Sequence, residues 1–190
     1  ISLKGTPNSP FIKQETSHPV KEWKLIPFKR PKEPLHYLLL ANMRISAKNL
    51  SAGIRLGMMR RHGGYLLYQS NFNNMPQTIG KCDKNGLLDN GTITPYYTGK
   101  TTKSEYMIIM GGVHRLWSSI YLYEGLGYGK RLVAWENADN TYYENSHYST
   151  KGIAAEIGLM YRFNKFIMSV GTQTISGKHW LGNIGFGIHF

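Results

Sequence analysis

The most restrictive feature of the chain is a two-residue alternation that starts at Leu35 and recurs to Phe190. In 152–164, Ile153, Ala155, Ile157, Leu159, Tyr161 and Phe163 share one side. Gly152, Ala154, Glu156, Gly158, Met160, Arg162 and Asn164 share the other. Successive side chains of an extended strand point to opposite faces, so this pattern demands strands and excludes an amphipathic helix. In 35–46, Leu35, Tyr37, Leu39, Ala41 and Met43 oppose His36, Leu38, Leu40, Asn42 and Arg44. In 51–61, Ala52, Ile54, Leu56 and Met58 oppose Gly53, Arg55, Gly57 and Met59. The segment 104–117 is apolar on both faces, which leaves its phase open. Eight strands are expected in all. Many run to roughly 10–13 residues, longer than the usual soluble strand and long enough to cross a bilayer at a tilt.

The two faces decide the class. One is continuously apolar and ends in aromatics. The other is mainly Gly, Ser, Asn and Gln with a few charges, too few for a surface facing water. Glycine on a solvated face would weaken a strand for no gain, whereas inside a narrow barrel it makes room for larger neighbours. With 21 glycines in 190 residues, this favours an apolar outside and a packed inside. Connection lengths agree. Those near 61–64, 115–118 and 163–165 are short, those at 74–103 and 136–150 are long, and those at 47–50 and 177–180 are modest. The expected fold is all-β: an eight-stranded antiparallel up-and-down transmembrane β-barrel with an extended N-terminal tail. Short turns would face the periplasm and the long loops 74–103 and 136–150 the cell surface. No stretch reaches the roughly 18–20 apolar residues of a membrane helix.

Residues 1–34 differ from 35–190. Pro7, Pro10, Pro19, Pro27, Pro31 and Pro34 are six of the eight prolines, and they forbid a helix or central strand there. The expectation is an extended Pro/Lys-rich periplasmic tail whose Phe11, Trp23 and Phe28 dock onto a partner. The chain starts at Ile1 without a leader pattern and reads as a mature or trimmed product.

A last strand in which Trp180, Ile184, Phe186, Ile188 and Phe190 alternate with small residues resembles the C-terminal signature that barrel-insertion machinery reads. Together with Val113-His114-Arg115-Leu116-Trp117, Gly125-Leu126-Gly127-Tyr128-Gly129 and 156–163, it resembles small eight-stranded outer-membrane β-barrel proteins of Bacteroidota, a family mostly uncharacterised in activity. The resemblance covers about 35–190. It implies a Gram-negative outer-membrane location and says little about activity.

Chemistry-bearing residues are few. Arg44, Arg55, Glu156 and Arg162 share the inward phase, and Glu124 is placed with them on a strand of uncertain phase. A charge inside a narrow barrel needs a partner, so an Arg/Glu network plugging the lumen is expected. The seven histidines show no ligand spacing, and no cofactor or metal is expected. Glu144, Ser146 and His147 share one loop without forming a triad. Asp83-Lys84-Asn85-Gly86 begins like a calcium loop but lacks its later ligands. One cysteine, Cys82, precludes an intrachain disulfide. The net charge of +12 calls for anionic partners. Outer-membrane lipids or lipopolysaccharide, and other outer-membrane or periplasmic proteins, fit it. Nucleic acid does not, because the aromatics line the apolar face. The reading is a non-catalytic structural or accessory subunit, or anchor, of a larger outer-membrane complex. The alternatives are a lipid-A or envelope-modifying enzyme, and a soluble calycin-like binder of a small apolar ligand.

Overall fold

The computed structural model describes residues 33–44, 50–88 and 94–190. Ten strands follow one another: β1 (His36–Arg44), β2 (Ser51–Met59), β3 (His62–Ser70), β4 (Thr78–Cys82), β5 (Tyr97–Arg115), β6 (Ile120–Asn137), β7 (Tyr142–Asn145), β8 (Thr150–Phe163), β9 (Phe166–Ile175) and β10 (His179–His189). Eight of them form a closed antiparallel barrel: β1, β2, β3, β5, β6, β8, β9 and β10. Two pairings close the ring. β6 meets β8 from Ile120↔Tyr161 to Arg131↔Thr150, and β1 meets β10 from Leu38↔His189 to Arg44↔Asn183. Closure removes the unpaired strand edges that an open sheet would expose.

The alternation sets the wall. Leu39, Ile54, Leu66, Ile108, Leu126, Leu159, Met168 and Phe186 all stand exposed on the outside. Water-soluble proteins rarely carry a contiguous apolar surface of more than a few hundred Å². An apolar exterior around a filled interior is the pattern of a transmembrane β-barrel.

The lumen is less polar than its alternation implied. Leu38, Leu40, Met59, Leu67, Met107, Ile109 and Ile167 are all buried inside with Tyr65, Tyr121 and Tyr123. The reason is size: an eight-stranded ring encloses only enough space for side chains, so its interior packs like a core. Two tyrosines show how glycine serves this packing. A methyl at Gly158 or Gly171 would lie 2.5 or 2.3 Å from the Tyr123 hydroxyl, and one at Gly111 or Gly125 would lie 2.5 Å from that of Tyr65. Each ring thus rests in a slot that only glycine leaves open.

The two long connections are partly strand. β5 and β6 are 19 and 18 residues long and continue past the wall. β7 lies within 136–150 and pairs antiparallel with the end of β6; β4 lies within 74–103 and pairs parallel with β7. Strands of five and four residues in polar sequence carry too little alternation to be seen, and their pairing joins segments about 60 residues apart. The barrel therefore has a turn end, with the short connections β2–β3, β5–β6 and β8–β9, and a loop end carrying this ribbon.

Candidate functional site

Across the lumen runs a polar layer built from facing strands. Arg55 on β2 donates through Nη2 to Glu156 Oε2 on β8 at 2.8 Å, and both side chains are inaccessible to solvent. The same oxygen accepts Gln173 Nε2 at 2.9 Å and Asn183 Nδ2 at 3.3 Å. The guanidinium lies 4.2 Å from the ring centre of Tyr123 and 4.9 Å from that of Tyr65. Tyr123 in turn donates to Asn183 Oδ1 at 3.2 Å. A charge removed from water needs a counter-charge and hydrogen bonds; here Glu156 Oε2 has three donors and Arg55 two aromatic faces, while Glu156 Oε1 and Arg55 Nε and Nη1 have no hydrogen-bond partner among the described residues.

Arg44 and Glu105 form a second buried ion pair, and Arg44 Nη2 also donates to Ser51 Oγ at 3.2 Å. A cavity of about 10 Å³ lies beside them, lined by Arg44, Glu105, Arg131, Thr150, Ile175 and Leu181. Arg162 faces inward near the turn end, 5.8 Å from the ring of Tyr121. The structure thus brings Arg55 and Glu156 together and gives Arg44 a different partner, Glu105, which sequence reasoning missed. The ambiguous phase of β5 hid Glu105; only the pairing with β3 and β6 fixes it.

Glu124 does not belong to this network. It faces outward and sits 3.2 Å from His114 Nε2, whose Nδ1 lies 2.9 Å from His62 Nδ1. Its strand turns Tyr121 and Tyr123 inward, and a period of two then sends Glu124 to the other side. Trp180, Ile184, Phe186 and Phe190 are exposed on the outer wall, with Ile188 in the same phase. Phe11, Trp23 and Phe28 lie outside the described residues.

The loop end is a compact polar cap. Tyr97 meets Trp135 edge-on at 5.3 Å and Tyr143 at 6.4 Å, and its hydroxyl donates to Gly86 O at 2.8 Å. Glu136 accepts from Tyr142 Oη at 2.7 Å and Thr98 Oγ1 at 3.2 Å, with Lys100 Nζ at 3.2 Å. These contacts, the Tyr142 bond foremost, hold the Glu136 carboxyl below the usual carboxylate range, and the same bond raises the Tyr142 phenol. Asp83 caps its own turn, its Oδ1 accepting from Asn85 N and Leu87 N at 2.8 and 2.9 Å. Among the described residues no group of acidic, His or Cys side chains is arranged to hold a metal. His147 stacks edge-on with Tyr148 at 5.0 Å, and no hydrogen bond joins its ring to Ser146 or Glu144. Instead Glu144 and Ser146 border an open cavity of about 270 Å³ that also receives Lys81, Lys130 and Lys151. The sequence signal for this basic pocket was slight: Lys130 and Lys151 are 21 positions apart on different strands, and only the β6–β8 register makes them neighbours.

No family model and no curated protein matches the sequence. Solved structures do. Ail, the attachment invasion locus protein of Yersinia pestis, aligns with a TM-score of 0.52 and 13% identity over 83% of this chain and 99% of that one. The structure of Ail in complex with the heparin analogue sucrose octasulfate aligns with the same TM-score and coverage at 12% identity. Neisserial surface protein A aligns at 0.39 and 10% identity, over 82% and 94% of the two chains. The likeness to Ail is one of fold: a closed eight-stranded barrel of the outer-membrane kind.

Proposed function

We propose that this chain is an integral outer-membrane barrel serving as a non-catalytic accessory or anchoring subunit of a larger envelope assembly. The observation that carries this is the lumen, packed among the described residues by the buried cluster around Tyr65, Tyr121 and Tyr123 and by the Arg55–Glu156 layer, which leaves the molecule's surfaces to do its work. The short turns, with Arg61 and Arg115, face the periplasm, and the β4–β7 cap faces outward. The apolar outer face of β10, from Trp180 to Phe190, is what the insertion machinery reads. The segment bearing Phe11, Trp23 and Phe28 is the strap that docks a protein partner. The net charge of +12 suits a lipopolysaccharide surroundings.

Crosslinking in native membranes followed by mild-detergent capture tests the subunit role. A discrete protein partner lost on replacing Trp23 and Phe28 by Ala is expected; crosslinks to lipid alone overturn it. Planar-bilayer recording tests the closed lumen: no stable conductance is expected, and a large, stable one would refute it.

A further inference from the structure

Lys130 and Lys151 are direct register partners across β6 and β8, both on the outer face. Like charges placed directly opposite one another weaken a strand pair. Among the described residues no carboxylate lies within 4 Å of the ammonium of Lys130, Lys151 or Lys81. All three border the same cavity of about 270 Å³, together with the hydroxyl-bearing Ser146 and Thr150 and a single acid, Glu144. Three cations against one anion around an open, hydroxyl-lined hollow leave a positive site.

Its height on the barrel identifies what fills it. One step toward the turn end, the same two strands present Tyr128 and Ile153 side by side, both exposed. Below them Leu126, Ile157 and Leu159 carry the apolar outer face on toward the turn end, interrupted there by Glu124, the register partner of Ile157. The lysines therefore stand at the upper border of the apolar band, where hydrocarbon gives way to headgroups. A soluble anion would have no reason to meet the protein at that level; the phosphate of a lipid whose acyl chains lie against the band below is held there by geometry.

We infer that Lys81, Lys130 and Lys151 form a binding site for the phosphate of a phosphorylated glycolipid headgroup in the leaflet at the loop end. The ammonium groups neutralise the phosphate, Ser146 supplies a hydroxyl donor, and the band beneath receives the acyl chains. This rests on the reading that the loop end meets the outer leaflet.

The test uses the full-length chain refolded in detergent, with its fold confirmed by heat-modifiable mobility. Bis-phosphorylated lipid A is titrated and retention read by native mass spectrometry, for the wild type and Lys130→Gln/Lys151→Gln. A loss of about tenfold or more is expected for the double variant, from the usual electrostatic contribution of a lysine beside an anionic headgroup. Lys165→Gln, at the turn end, should bind as the wild type. Dephosphorylated lipid A should bind the wild type as weakly as the double variant binds lipid A. Equal retention by wild type and double variant, or indifference to dephosphorylation, overturns the site. Displacement of lipid A by millimolar inorganic phosphate overturns the lipid assignment in favour of a free oxyanion. The orientation is checked separately, by labelling Asp139→Cys and Ser118→Cys in whole cells with an impermeant maleimide. Labelling of Ser118→Cys alone would sink the orientation while leaving the binding result intact.

Discussion

Two buried glutamates, one paired with a sealed arginine and one with an exposed lysine, show how differently one barrel uses the same chemistry. Glu156 and Arg55 are sealed in the lumen, and each lone charge would be stranded without the other. Glu136 is itself buried, but its partner Lys100 is three-quarters exposed at the loop end, and its hydrogen bonds come from the Tyr142 and Thr98 hydroxyls. In the first case desolvation makes the pair obligatory; in the second, water competes with it. The lumen pair fixes which strands face one another, whereas the loop-end group tunes the order of one ribbon.

The largest effect that could break this contrast is removal of one lumen partner. Glu156→Ala should cost about 3–5 kcal/mol, the penalty for an uncompensated buried charge, read from urea unfolding in lipid vesicles. Arg55→Met combined with Glu156→Leu should cost less than either single change, because no charge is then stranded. A double variant as unstable as the singles would mean that packing, not charge, governs the layer. Next in size is Gly171→Ala, whose methyl would meet the Tyr123 hydroxyl at 2.3 Å. Overpacking of this kind costs about 1–3 kcal/mol, and Tyr123→Phe in the same chain should recover part of it.

The loop-end group sharpens the comparison through pH. Because Glu136 titrates below its ordinary value of 4.5 in the folded protein, its contribution is present above that value and lost as pH falls through the lower, folded one. Amide exchange over 132–145 should therefore accelerate below pH 4.5 while the barrel strands stay protected. Glu136→Gln should show the faster exchange at neutral pH and little further change on acidification. The smallest effect belongs to Glu124→Gln on the outer wall. Its half-exposed contact with His114 should be worth under about 1 kcal/mol, so the unfolding midpoint should barely move.

How far the sequence exposed this arrangement varies from strand to strand. β8 was plain, since Ile153, Ile157 and Leu159 contrast with Gly152, Glu156 and Gly158 on the other side. β5 was not, because Met107, Ile109 and Val113 pack a lumen while Tyr106, Ile108 and Met110 coat the exterior. When both sides of a wall are apolar, alternation carries no phase, and Glu105 was lost for that reason. Glu124 leaves the expected network for a related reason: its strand's phase is not fixed by the sequence, and only the register that turns Tyr121 and Tyr123 inward sends it outside beside His114. Arg55 and Glu156 were recognised as inward, but their mutual pairing depends on barrel closure, which brings residues 101 positions apart within hydrogen-bonding distance. The basic pocket needed still more, since it combines the β6–β8 register with two short strands that leave no periodic trace.

The length of β6 has a mechanical consequence. β8 accompanies it only as far as Arg131, so the stretch from Leu132 to Asn137 projects alone with β5 and the β7 flap. At about 3.3 Å per residue this overhang reaches roughly 20 Å beyond the last rung shared with the ring. It is braced like a cantilever, continuous with a strand clamped on both sides below. Whatever it touches is met at a set distance and angle, and contact there need not spend the ordering entropy that a floppy loop of the same span would lose.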